Sequence, residues 1–130
     1  MQKINREQIL ASIEQSDFIL KSTHHKLCLP IINRIYIKMK QGIKFDDIKV
    51  CDALIIDGHH RYICSLLTQI DLGTVKSLKT SATVEYTWTD VEFVEEDWDT
   101  EEEIKHFNAL DAAYNKIPLE RLEELIEVNF

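Results

Sequence analysis

Residues 53–67, ALIIDGHHRYICSLL, constrain this chain more than any other stretch. An apolar run, Ala53 to Ile56, stops at Asp57-Gly58; two histidines and an arginine follow, and Tyr62, Ile63, Leu66 and Leu67 then recur at helical spacing. The pattern predicts a buried strand, a tight turn and a helix, because the apolar period changes across a turn dipeptide. It also places the most reactive side chains of the chain at a helix N-terminus. Unpaired backbone N–H groups and the helix dipole make such a position favourable for an anion.

The elements around this unit follow from local signals. Asn5 with Gln8 reads as the capping box of a first helix over residues 5–15, with Ile9, Leu10 and Ile13 as its apolar stripe. Residues 16–29 are ambiguous: an apolar patch, Phe18 to Leu20, precedes a polar hinge holding Ser22, Thr23, His24 and His25. Pro30 suits the first turn of a second helix, with Ile31, Ile32, Ile35, Tyr36 and Met39 on its inner face. Asn33, Arg34, Lys38 and Lys40 fall opposite, and Gln41-Gly42 is a stop. Residues 45–50 and 53–56 read as a tight hairpin turning at Cys51-Asp52. The β-branched and aromatic content of residues 75–94 predicts more strand. Thr100 with Glu103 caps an amphipathic helix carrying Ile104, Phe107, Leu110, Tyr114 and Ile117, and Pro118 begins another with Leu119, Leu122, Leu125 and Ile126.

With 130 residues, 45% of them hydrophobic, the chain reads as one soluble α+β domain able to bury a core without disulfide staples. Its core spans about residues 30–95, and two acidic helices span about 100–128. Three cysteines without framework spacing read as reduced thiols of a cytoplasmic protein. Neither a signal sequence nor an apolar run of membrane-spanning length is present, so no membrane association is expected.

Charge separates the chain into unlike halves. Residues 1–65 carry ten Lys/Arg and seven Asp/Glu, whereas residues 66–130 carry five and sixteen. Nonspecific duplex DNA binding is disfavoured, since it depends on neutralising phosphates. The acidic half suits a basic protein partner. Tyr86, Trp88 and Phe93 are a conceivable base-stacking set, but Glu85, Asp90 and Glu92 interleave them, which favours ordinary packing.

The 57–61 turn holds the chemistry. Gly58 supplies a permissive backbone, Arg61 a planar fork matched to phosphate oxygens, and His59 and His60 titrate near neutrality or donate hydrogen bonds. Asp57 can orient a histidine, hold magnesium or accept a proton. The glycines and lysine of a Walker A loop are missing. A second combination, His24 with Cys28 and His60 with Cys64, has the spacing of a zinc set, yet spacing without a closed motif is weak grounds for zinc.

Residues 42–67 resemble the core of the ParB/sulfiredoxin superfamily: a helix ending in Gly, a strand of the form Asp-Ile-x-Val, a second strand ending in Ile-Asp-Gly, and a phosphate-binding helix start. Chromosome-partition ParB proteins carry Gly-Glu-Arg-Arg and bind CTP; only Gly58 and Arg61 match that wording. Sulfiredoxins carry Gly-Cys-His-Arg, and His59 stands where their reactive Cys would be, which argues against sulfinic-acid reduction. Asp57, Gly58, His59, His60 and Arg61 all match the Asp-Gly-His-His-Arg wording of ADP-dependent free serine kinases and many ParB-like proteins.

The resemblance implies a ParB/sulfiredoxin-like small mixed sheet packed with helices. It also implies a nucleotide phosphate held by Gly58, His59, His60 and Arg61, with Mg2+ accompanying ATP, ADP or CTP. Asp57 and His60 are the candidate catalytic groups for phosphoryl transfer or nucleotide hydrolysis. The upstream acid of the kinases has no clear counterpart; Glu14 and Asp17 are candidates by position alone. The competing expectation is a non-catalytic interaction protein, of inhibitor or immunity type, that uses its acidic C-terminal half.

Overall fold

Asn5 opens the first helix as its sequence predicts. Its side chain accepts from the Gln8 amide, and the Gln8 side chain accepts from the Asn5 amide. The computed structural model describes residues 3–17 and 19–127, so Phe18 of the predicted apolar patch and Val128 at the end of the second predicted acidic helix lie outside the described residues. The elements, in chain order, are α1 (Arg6–Glu14), β1 (Lys26–Cys28), α2 (Leu29–Lys40), β2 (Ile48–Cys51), β3 (Leu54–Asp57) and α3 (His59–Thr68). After them come β4 (Thr74–Lys76), β5 (Glu92–Val94), α4 (Glu101–Tyr114) and α5 (Leu119–Glu127). The class is α+β.

The predicted hairpin is present: β2 and β3 pair antiparallel, and Asp52 takes the left-handed conformation at the turn. Parallel pairing of β4 with β2 completes a three-stranded mixed sheet. A separate ladder joins β1 and β5 in parallel. Residues 21–25 connect the two. The Lys21 amide donates to Ala53 and the Ile55 amide to Lys21 at the edge of β3, while the Glu92 amide donates to His25 beside β5.

Two apolar clusters hold these elements together. The larger gathers Ile9, Ile13, Leu27, Ile32, Met39, Ile48, Ile55, Ile63 and Cys64 from the helices and strands around α3. Leu20 is fixed at its rim by two polar contacts: its amide donates to the Tyr62 hydroxyl, and its carbonyl accepts from the Trp88 indole. The smaller cluster, built on Ile43, Ala112 and Leu122, fastens α4 and α5, and Phe45 packs against both clusters. No helix among the described residues is long and apolar enough to cross a membrane.

Several sequence expectations need correction. Residues 75–94 are mostly irregular: only the ends pair, in β4 and β5, and Trp88–Asp90 forms a single 3-10 turn. Their β-branched side chains lack neighbouring strands to pack against, and context decides β propensity. Trp88 is buried, Tyr86 stacks on His25, and Phe93 packs against the main core, so the three do not form one open stacking surface. The first hairpin strand starts at Ile48 rather than residue 45. Helix α4 ends at Tyr114, short of Ile117, and it turns Ala112 inward while Phe107, Leu110 and Tyr114 stay largely exposed. Lys38, assigned to the outer side of α2, is buried.

Candidate functional site

Strand β3 delivers Asp57 to the surface, and Gly58 reverses the chain with φ +100. That left-handed conformation suits glycine because it carries no Cβ. No side chain caps the start of α3. The first N–H groups of a helix have no intrahelical acceptor, and residues Asp57 to Arg61 of this turn line an open pocket of about 300 Å3. The size falls at the low end for small-molecule sites.

The histidines have unlike positions. His59 is buried; its Nε2 accepts from the Thr23 amide at 3.0 Å, and its ring stacks on His24 with centroids 3.9 Å apart. His60 Nε2 accepts from the Cys28 amide at 3.0 Å, and its ring meets Trp98 edge-on. Because Nε2 accepts in both rings, the neutral form of each carries its proton on Nδ1. Burial lowers the His59 pKa to about 3, with His24 and His60 adding repulsion. Burial likewise lowers His60 to about 4, reinforced by His24, Arg34 and Arg61. At neutral pH both are therefore uncharged. The fixed His60 ring is better suited to donating from Nδ1 than to accepting a proton on Nε2.

Arg61 folds back over Gly58. A Cβ at residue 58 would stand 2.7 Å from Nη2. Nη2 donates to the Asp47 carbonyl at 3.1 Å and lies 4.0 Å from Asp57 Oδ2, while Nε is buried with no partner among the described residues. The guanidinium is thus held by one carbonyl and a long carboxylate contact.

Two cations overlooked in the sequence share this pocket. Arg34 and Lys38, one turn apart on α2, line it with Arg61. Arg34 forms a fork on Asp97, with contacts of 2.6 and 2.9 Å, and reaches Asp99 at 2.9 Å. Burial opposes its charge, but the two carboxylates more than offset that, so its pKa is raised. The Arg34 hydrogen bonds hold the Asp97 carboxyl below its usual range. Lys38 Nζ donates to Asp111 Oδ2 at 2.7 Å, with its side chain 5% exposed. A signal for Arg34 was present in sequence: residues 85–103 carry ten acids and no Lys or Arg, so cationic partners for that stretch come from elsewhere, whereas Asp111, the partner of Lys38, lies outside it.

Ile31, Ile35, Phe45 and Phe107 give the pocket apolar walls. Glu14 and Asp17 are exposed and do not line it. The zinc combination does not assemble: Cys64 Sγ donates to the Ile32 carbonyl and Cys28 Sγ to the Glu96 carbonyl. Burial also pushes the Cys64 thiol up, away from the thiolate form that binds metal. Among the described residues no three His, Cys, Asp or Glu side chains are grouped as metal ligands. Comparison with protein-family models, curated proteins and solved structures returns no match to this chain.

Proposed function

We propose that this chain is a ParB-like protein that binds a nucleotide or another phosphate ligand at the start of α3, with Arg61 as its principal charged contact. One observation carries the reading. An uncapped helix start, a loosely held guanidinium and a neutral imidazole donor face a single pocket that also has apolar walls. Backbone N–H groups and an arginine fork are the usual means of holding a phosphate. Arg34 and Lys38 are already balanced by Asp97, Asp99 and Asp111, so they steady the pocket, and Arg61 supplies the charge a ligand can recruit.

Magnesium fits this donor set through Asp57, whose side chain is 63% exposed, because Mg2+ commonly rests on one carboxylate and the phosphates of its nucleotide. When bound it would neutralise charge on the phosphates. Asp57 then has two roles to divide, metal ligand or proton acceptor, while His60 Nδ1 donates to a phosphate oxygen. Phosphoryl transfer or nucleotide hydrolysis is the enzymatic form of this proposal, with the protein contributing positioning and electrostatics.

The test is a thermal-shift series with ATP, ADP, CTP and GTP, with and without magnesium. At least one nucleotide should stabilise the chain, and Arg61→Ala should remove the shift while the far-ultraviolet circular dichroism stays unchanged. Stabilisation by none of the four sinks the nucleotide reading, and an undiminished shift in Arg61→Ala moves the ligand elsewhere. Turnover of labelled nucleotide then separates catalysis from binding.

A further inference from the structure

Helix α4 carries three large apolar side chains outside its buried face, Leu110 and Tyr114 on the exterior and Phe107 at the pocket's edge. Phe107, Leu110 and Tyr114 fall at i, i+3 and i+7, and they are 45%, 51% and 56% exposed. Ala112, on the inner side, is 2% exposed. Single exposed apolar residues are ordinary, but three on one helix face form a stripe of the kind used for protein contacts. A helix needing only to sit on the second apolar cluster would carry polar residues there.

The surroundings of the stripe select its occupant. Glu103 lies on the same face by the 100° helical step, Glu95 and Glu96 are exposed just before the helix start, and Glu101 and Glu102 begin the helix on the side of Lys105. The ion pairs near this end employ Asp97, Asp99 and Asp111, and those five glutamates make no ion pair among the described residues. Lys105 points to roughly the opposite side of the helix by the same step. A second copy of the chain would bring two acidic surfaces together, which like-charge repulsion opposes. An anionic lipid surface is opposed for the same reason. A basic segment is attracted.

We propose that the outer face of α4 is a docking surface for a basic, amphipathic helical segment of a protein partner. Such a segment would lay apolar side chains over Phe107, Leu110 and Tyr114 and place Lys or Arg against the acidic residues at the start of α4. The surface stands on its own observations and does not depend on a ligand in the pocket, although the Phe107 ring touches both.

The probe is a labelled synthetic Leu/Lys peptide whose leucines fall on one helical face, titrated against the full chain by fluorescence anisotropy. A peptide of the same composition with scrambled leucines is the control for charge alone. The amphipathic peptide should bind, and the scrambled one at least about tenfold more weakly. Leu110→Ser, a change at an exposed position, should weaken binding by a similar factor. Glu95→Lys with Glu96→Lys should weaken it and flatten its salt dependence. Equal binding of the scrambled peptide, or undiminished binding to Leu110→Ser, overturns the proposal. So does a self-associated chain in sedimentation that Leu110→Ser converts to monomer, since the stripe would then belong to a second copy.

Discussion

Gly58 combines a left-handed backbone with the close approach of Arg61, and both features resist a side chain. In Gly58→Ala the Cβ would be strained at φ +100 and would meet the end of the Arg61 guanidinium. The backbone term costs about 1–2 kcal/mol. The guanidinium can swing away, but doing so gives up its hold on the Asp47 carbonyl and its place over Gly58. Urea unfolding should therefore show a modest loss, and titration with ADP a much larger one. Equal losses in the two would mean that Arg61 is not the ligand's contact. His59 and His60 make a separate prediction about acid. Their folded pKa values, about 3 and about 4, lie below the ordinary 6.5. Between those limits the unfolded chain binds the more protons, so stability is complete above pH 6.5 and falls as pH falls, until the folded groups also titrate. Each histidine contributes a slope of up to about 1.4 kcal/mol per pH unit. Unfolding measured from pH 6.5 to 5, above the main carboxylate range, should show this slope, and His59→Gln with His60→Gln should flatten it.

At the scale of elements, α4 and α5 are fastened by a cluster separate from the main core. Leu122 is fully buried at its centre. The Asn115 side chain accepts from the Lys44 amide and donates to its carbonyl, adding a polar clasp. Leu122→Ala should cost about 3 kcal/mol by loss of burial and cavity formation. Because the main core touches this cluster chiefly through Phe45, hydrogen exchange should accelerate in α4 and α5 while β3 and α3 keep their protection. Uniform acceleration would show one cooperative unit instead. The same division explains what was legible in sequence. Local devices were: both capping boxes, Pro30, the left-handed Gly42 and the hairpin depend on neighbouring residues. The 57–61 turn was legible because strand, glycine and helix are contiguous. The ladder of β1 with β5 was not, since each strand has three residues and its partner is far along the chain. Arg34 and Lys38 looked like the solvated back of α2, because their partners are acids more than sixty residues away. The amphipathicity of α4 was legible, but spacing does not say which face is covered, so the exposure of Phe107, Leu110 and Tyr114 was not.

Over the whole molecule, the unlike charges of the two halves meet as the chain folds. Lys21 pairs with Glu85, Lys26 with Glu92, Arg34 with Asp97 and Asp99, and Lys38 with Asp111. The first two pairs are well exposed and contribute little. The pair of buried Lys38 differs, because losing one partner strands a desolvated charge. This arrangement also puts the pocket between the two apolar clusters: Gly58, His60 and Arg61 reach it from the main body, Phe107 and Asp111 from α4. A ligand that touches both sides must couple them. A ligand specific to the folded state stabilises it by RT ln(1 + [L]/Kd), about 2.7 kcal/mol at a hundredfold excess over Kd. With saturating magnesium-ADP, hydrogen exchange should slow in α4 and α5 as well as in α3. In Asp111→Ala, the Lys38 contact that fastens α4 is lost, so exchange in α4 should quicken without ligand and recover part of its protection with it. Slowing confined to α3 would place the ligand on the main body alone and leave α4 free to serve only its outer face.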